Sequence, residues 1–239
     1  MAGVLDQLKT IREQSGEART TGLDNDTVCQ FVSRDPDLVE AVNAATKEFG
    51  VLSREFPELM KLGEMEQVEA IEKHLVNFYA DDTVNPYVSM AARGPWIITT
   101  KGAVLHDNGG YGMLGFGHVP EPIIAAMTKP QVMANVMTPS FAQLKLSKAL
   151  AREIGQTRDG GCPFSHFVAM NSGSESVSVA TRIADVNAKI LTDEGGRHAG
   201  KSVKKMSLSG GFHGRTGRPA MFSDSCRGSY GKYLASFRT

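Results

Sequence analysis

The chain has 239 residues, 41% hydrophobic and 22% charged, with 26 basic side chains balanced by 26 acidic ones. That profile fits a globular protein of one large or two modest domains, and zero net charge excludes the broad basic field that nucleic acid or an anionic membrane would attract. No apolar run approaches the roughly 20 residues of a membrane span. The N-terminus lacks a signal-peptide core, and Cys29, Cys162 and Cys226 are too scattered for a disulfide framework or a zinc knuckle, so a cytoplasmic location is expected.

Residues 1–85 read as mostly helical. "DPDLVEAVNAATKEFG" starts on Asp35-Pro36 and predicts a stop at Gly50. "EMEQVEAIEKHLVNFYA" spaces Val68, Ile71, Leu75 and Phe78 as one apolar helix face. No catalytic cluster occurs in this part, which is expected to serve packing or oligomer contacts. Residues 86–118 turn to β-branched and aromatic residues with glycine punctuation, predicting two or three short strands. A helix is expected from Pro122, and another over "SFAQLKLSKALAREIG", capped by Ser140 and stopped at Gly155.

From residue 164 the pattern is strand, turn, helix, strand. "SHFVAM" predicts a buried strand and "ESVSVATRIADVNAKIL" a helix with Val177, Ala180, Ile183 and Ala184 on one face. "KSVKKMSLSGG" predicts the next strand. A βαβ unit of this kind implies a parallel sheet whose loops of interest lie at the strand C-termini. The fold class is therefore α/β.

Several catalytic signatures can be set aside. "GYGMLG" at 110–115 matches G-x-G-x-x-G, but no helix opens there and no acidic residue follows at about 20 positions, so a dinucleotide site is not expected. There is no P-loop and no G-x-S-x-G elbow, and the histidines at 74, 106, 118, 166, 198 and 213 show no metal-ligand spacing.

Two stretches remain. "NSGSES" (171–176) places Ser172 and Glu175 as a capping box. The same strand-to-helix turn also exposes backbone N–H groups and the positive end of the helix dipole, which suits a phosphate; the stretch alone fits both readings. "SGGFHGRTGRP" (209–219) follows the next strand and so falls on the same sheet edge. By itself it could be a solvated Gly-Arg turn with Phe212 packed inward. Beside a phosphate cup, Phe212 between Gly211 and His213 can stack on a flat heterocycle, and the pair describes a site for a flat, phosphorylated cofactor.

"NSGSES" followed by "GGFHGRTG", with "GAVLHDNGGYGMLGFGHVPEPIIAAM" upstream, resembles the class III (omega) aminotransferases. The resemblance runs from about Tyr87 onward. It implies a fold-type-I enzyme using pyridoxal 5′-phosphate, a homodimer, and a small-molecule amine and keto acid or aldehyde as substrates. It further implies that Ser172, Gly173 and Ser174 hold the cofactor phosphate, that Phe212 stacks on the pyridine ring with His213 beside it, and that Tyr111 lies near the substrate pocket. On this basis residues 1–85 are a helical extension, 86–150 a strand, loop and helix segment of the small domain and linker, and 151–239 the first part of the large cofactor-binding domain. Ser176 stands where the family commonly has alanine.

In the family the Schiff-base lysine and the carboxylate for the ring nitrogen follow the "FHGRT" loop, and no lysine of this chain stands in the matching context. The expectation is therefore an N-terminal half, with an incomplete parallel-type sheet, whose lysine comes from a further segment or a second chain. Related cofactor enzymes that decarboxylate or shift an amine within one molecule stay open as alternatives, as does a non-catalytic scaffold.

Overall fold

The structure, a computed structural model, describes residues 2–75, 85–108, 115–130, 132, 137–224 and 232. It separates into two units, Met1–Gln131 and Val132–Thr239.

In the first unit, α1 (Ala2–Gln14) buries Val4, Leu8 and Ile11, spaced to share one helix face. Asp24 caps α2 (Asn25–Val32) by accepting from Thr27 N at 2.8 Å. Asp35 caps α3 (Pro36–Glu55), accepting from Asp37 N at 3.0 Å while its other oxygen takes the Trp96 indole N–H at 2.8 Å. The stop predicted at Gly50 does not occur. Phe49 is buried and Leu52 packs against the same core, and their burial outweighs the ~1 kcal/mol that glycine costs inside a helix.

Two shorter helices follow, α4 (Pro57–Lys61) and α5 (Glu64–Glu72). The face predicted for α5 is also revised. Val68 is buried, but its buried neighbours are Glu64 and Gln67, whereas Ile71 and Leu75 are exposed; Phe78 lies outside the described residues. Polar burial is met in part across the chain: Glu64 Oε2 accepts from Arg19 N and Thr20 N at 2.7 and 2.6 Å, and Gln67 Oε1 accepts from Thr100 Oγ1 at 2.6 Å, while Glu64 Oε1 is buried without a partner among the described residues.

Where two or three short strands are expected there are three, and they form one antiparallel sheet, β1 (Ser89–Arg93), β2 (Trp96–Thr99) and β3 (Val104–His106), in that order. Arg93 pairs with Trp96 across a turn whose Gly94 has φ +51, the left-handed region that glycine enters without strain. α3 packs on β1 and β2. Leu8, Ile11, Val28, Leu38, Val42, Trp96, Ile98 and Val104 therefore form one core, shared by the helices and the sheet. Helix α6 (Glu121–Met127), with Pro122 in its first turn, is tied to β1 by Arg93 Nη2–Glu121 Oε1 at 2.6 Å.

The second unit contains α7 (Phe141–Gly155), α8 (Gly173–Thr192) and α9 (Gly217–Phe222). Ser140 and Gln143 form the capping box of α7. Ser172 caps α8. The parallel strands expected at 165–170 and 201–211 are not present as such. Both segments run without ladder bonds, and the sheet among the described residues is antiparallel. A strand exists through a hydrogen-bonded neighbour; here Val168 and Leu208 are exposed and Met206 is 91% exposed. The 201–208 segment is held instead by side chains, with Asp185 on α8 paired to Lys205 and to Arg218 of α9, each at 2.9 Å. Among the described residues no helix is long and apolar enough to cross a membrane, and no cluster of His, Cys, Asp and Glu could hold a metal ion.

Candidate functional site

The N-terminus of α8 is built by Ser172. Its backbone is extended (φ −147, ψ 158) and its Oγ accepts from Glu175 N at 3.2 Å. The expected capping box is only half made: the Glu175 carboxylate takes the Ser172 hydroxyl at 3.3 Å rather than the Ser172 backbone N–H. Among the described residues the N–H groups of Gly173 and Ser174 meet no acceptor. A Cβ added at Gly173 would meet nothing within 4 Å, so the side-chain position of the first helical residue is open. Free N–H groups at the positive end of a 20-residue helix attract an anion.

The second loop is shaped by the residues that follow it. At Gly210, with φ +74, the chain turns sharply, and Gly211 N bonds Leu208 O at 3.1 Å. The short α9 then returns Ser223 and Asp224 beneath the loop. Ser223 is fully buried; its Oγ accepts from His213 N at 2.8 Å and lies 2.8 and 3.0 Å from Gly214 O and Pro219 O. Asp224 accepts from Gly210 N at 2.8 Å, and its own N–H bonds Gly211 O at 2.9 Å. So pinned, Phe212 stays 58% exposed, with the Arg215 guanidinium carbon 6.0 Å from its ring centroid. Phe212 is not packed inward.

The two loops meet in one hollow of about 370 Å³, lined by Ser172, Gly173, Ser174, Val177, Phe212, His213 and Gly214. All five residues singled out for the phosphate and the ring thus share one place; Tyr111 lies outside the described residues. The contact between the loops depends on Gly214, at φ +113, where a Cβ would collide with Ser174 Oγ. Among the described residues no carboxylate lines the hollow. The nearby Asp185 has its carboxyl held below the ordinary aspartate range, first by the hydrogen bond from Lys205 and then by the charges of Lys205 and Arg218. A larger apolar hollow of about 450 Å³ shares Val177 and His213 and is walled by Ala180, Ala184, Met206, Leu208 and Phe222. Sequence reasoning missed Ser223 and Asp224. A buried serine after a six-residue helix leaves no periodic signal, and Pro219 in the first turn was the only cue to that helix.

The residues therefore fit a flat phosphorylated ligand: two free N–H groups and Ser174 at one end, an exposed aromatic ring at the other. Residues 78–233 match the family model described as aminotransferase class-III. No curated protein and no solved structure matches the chain.

Proposed function

The chain belongs to the class III aminotransferases, enzymes that use pyridoxal 5′-phosphate, and we propose that Ser172, Gly173, Ser174, Phe212 and His213 hold that cofactor. The observation that carries this reading is the meeting of the free Gly173 and Ser174 N–H groups with the exposed Phe212 ring in one hollow. The N–H groups and the Ser174 hydroxyl bind the phosphate oxygens, aided by the dipole of α8. Phe212 covers one face of the ring and excludes water from it, and His213 lies alongside. When bound, the cofactor supplies an aldehyde and an electron-withdrawing ring, through which nitrogen passes from a primary amine or amino acid to a keto acid or aldehyde.

That chemistry also needs a lysine at the aldehyde and a carboxylate at the ring nitrogen. Among the described residues neither type lines the hollow, so in our reading both come from a segment or chain other than these two loops. The family is typically homodimeric, and we take the working unit to be a homodimer or a protomer assembled from two pieces, on the family's fold-type-I plan.

The test is a titration of the full chain with pyridoxal phosphate, followed by absorbance. A saturable change in the cofactor spectrum is expected, weakened in Ser174→Ala. An unchanged spectrum, or equal retention by the variant, would reduce the cup to a helix cap.

A further inference from the structure

Residues 15–21 of the first unit form a strap between α1 and α2. Glu64 N bonds Glu17 O at 2.9 Å, and Arg19 N and Thr20 N are bound by the Glu64 carboxylate at 2.7 and 2.6 Å. Gly16 lies directly on the backbone carbonyls of Lys61 and Leu62, where a Cβ would collide. Beside the strap is a polar hollow of about 590 Å³, lined by Arg12, Ser15, Glu17, Arg19, Thr20 and Lys101 among others.

Its charges are unbalanced. Among the described residues none of Arg12, Arg19 and Lys101 has a carboxylate within salt-bridge distance, and the lining itself offers one, Glu17. Arg12 is oriented by neutral partners, Gly102 O and Asn25 Oδ1, both at 3.0 Å. Lys101 is only 1% exposed, and its ammonium donates to the carbonyls of Met60 and Leu62. Burial lowers its pKa, an effect that the charges of Glu64 and Glu66 only oppose. Two hydroxyl oxygens of the same lining, Ser15 Oγ and Thr20 Oγ1, are buried with no partner. Orphaned buried hydroxyls are rare because each forfeits its hydration, and rotation about χ1 turns such a hydroxyl toward a new acceptor.

We propose that this hollow binds a small phosphate-bearing anion. Guanidinium groups match the oxygen spacing of a phosphate and an ammonium adds a point charge, so one group supplies acceptors for the hydroxyls and negative charge beyond that of Glu17 and of Glu64, which holds the strap. The volume admits a phosphate with a small organic group attached. Most of the lining, residues 12–21, precedes the matched residues 78–233, and it shares no residue with the lining of the cofactor cup.

The experiment is thermal unfolding of the full chain against inorganic phosphate and against glycerol phosphate, at constant ionic strength set with chloride. Each phosphate is expected to raise the midpoint saturably, as a ligand of the folded state does; a lower half-saturation for the ester points to a phosphorylated metabolite, and a lower one for the free ion to phosphate itself. Arg19 is exposed and its side chain is free to change without unfolding the strap. Arg19→Ala should raise the half-saturation concentration roughly tenfold, the size of one charged hydrogen bond, and Ser147→Ala on α7, which lines neither this hollow nor the cofactor cup, should leave it unchanged. Chloride acting as well as phosphate would overturn the inference and leave the hollow to water. So would a response lost in Ser174→Ala and kept in Arg19→Ala, which would place the phosphate in the cofactor cup.

Discussion

Replacing Ser223 by alanine tests whether the shape of the Phe212 loop, rather than its composition alone, makes the cofactor site. The fully buried hydroxyl accepts from His213 N at 2.8 Å and has one proton to give, to Gly214 O or Pro219 O. Ser223→Ala removes two hydrogen bonds at any moment and leaves a partly buried N–H without an acceptor, a loss of about 2–4 kcal/mol. If the loosened loop reaches its binding geometry in about a tenth of molecules, cofactor affinity falls tenfold, because the dissociation constant scales inversely with the competent fraction. The assay pairs a pyridoxal-phosphate titration by absorbance with chemical unfolding of the same protein. Ser147→Ala on α7, which removes a hydroxyl bonded to Leu144 O at 3.0 Å, serves as the control and should leave affinity unchanged. A Ser223→Ala protein that loses stability yet binds within about twofold of the parent, well under the factor that 1.4 kcal/mol would produce, would refute the idea that Ser223 positions the loop.

Gly173→Ala should leave thermal stability unchanged or raised, since a Cβ there meets nothing and alanine favours the helix, while cofactor retention falls because the methyl occupies the approach to the N–H groups; spectral titration and melting together check both halves. Gly214→Ala should lower both stability and retention, because its φ of +113 and the collision with Ser174 Oγ act together. Gly50→Ala in α3 should gain up to about 1 kcal/mol in chemical unfolding, its backbone being helical and the nearest foreign atom an arginine nitrogen at 3.7 Å. For Asp185 the folded carboxyl titrates below its unfolded value, so the unfolded chain binds the proton first as pH falls. Its contribution is complete above about pH 4 and is lost below that; Asp185→Asn should flatten that part of the acid unfolding curve, and an identical curve would show that the pairs to Lys205 and Arg218 add nothing.

What could be read from the sequence was local. The helix starts at Asp35, Ser140 and Ser172 and the short strands of 86–118 each rest on a few neighbouring residues, and each is present, with the box at Ser172 half made. What could not be read depends on partners far along the chain. Gly50 fails to end α3 because Phe49 and Leu52 find a core made partly by the sheet. The buried face of α5 is polar because Arg19, Thr20 and Thr100 supply its hydrogen bonds. Segments 165–170 and 201–211 carry strand composition, but composition cannot supply the neighbouring strand that a ladder requires.

The same distinction explains why "NSGSES" was ambiguous. A capping serine and an anion site compete only if they use the same N–H groups. Here they do not: Ser172 Oγ takes the N–H of Glu175, leaving those of Gly173 and Ser174, the first two positions of α8, without an acceptor among the described residues, at residues that line the hollow. The cap fixes the direction of those two donors, and it does so with Glu175 drawn to the Ser172 hydroxyl, so the carboxylate is held by the cap. A serine cap of this kind makes the helix end more receptive to a phosphate. Whether that receptivity serves a cofactor depends on Phe212, and the position of Phe212 depends on a serine eleven residues further on, at 223, whose part is visible only once the chain has folded back.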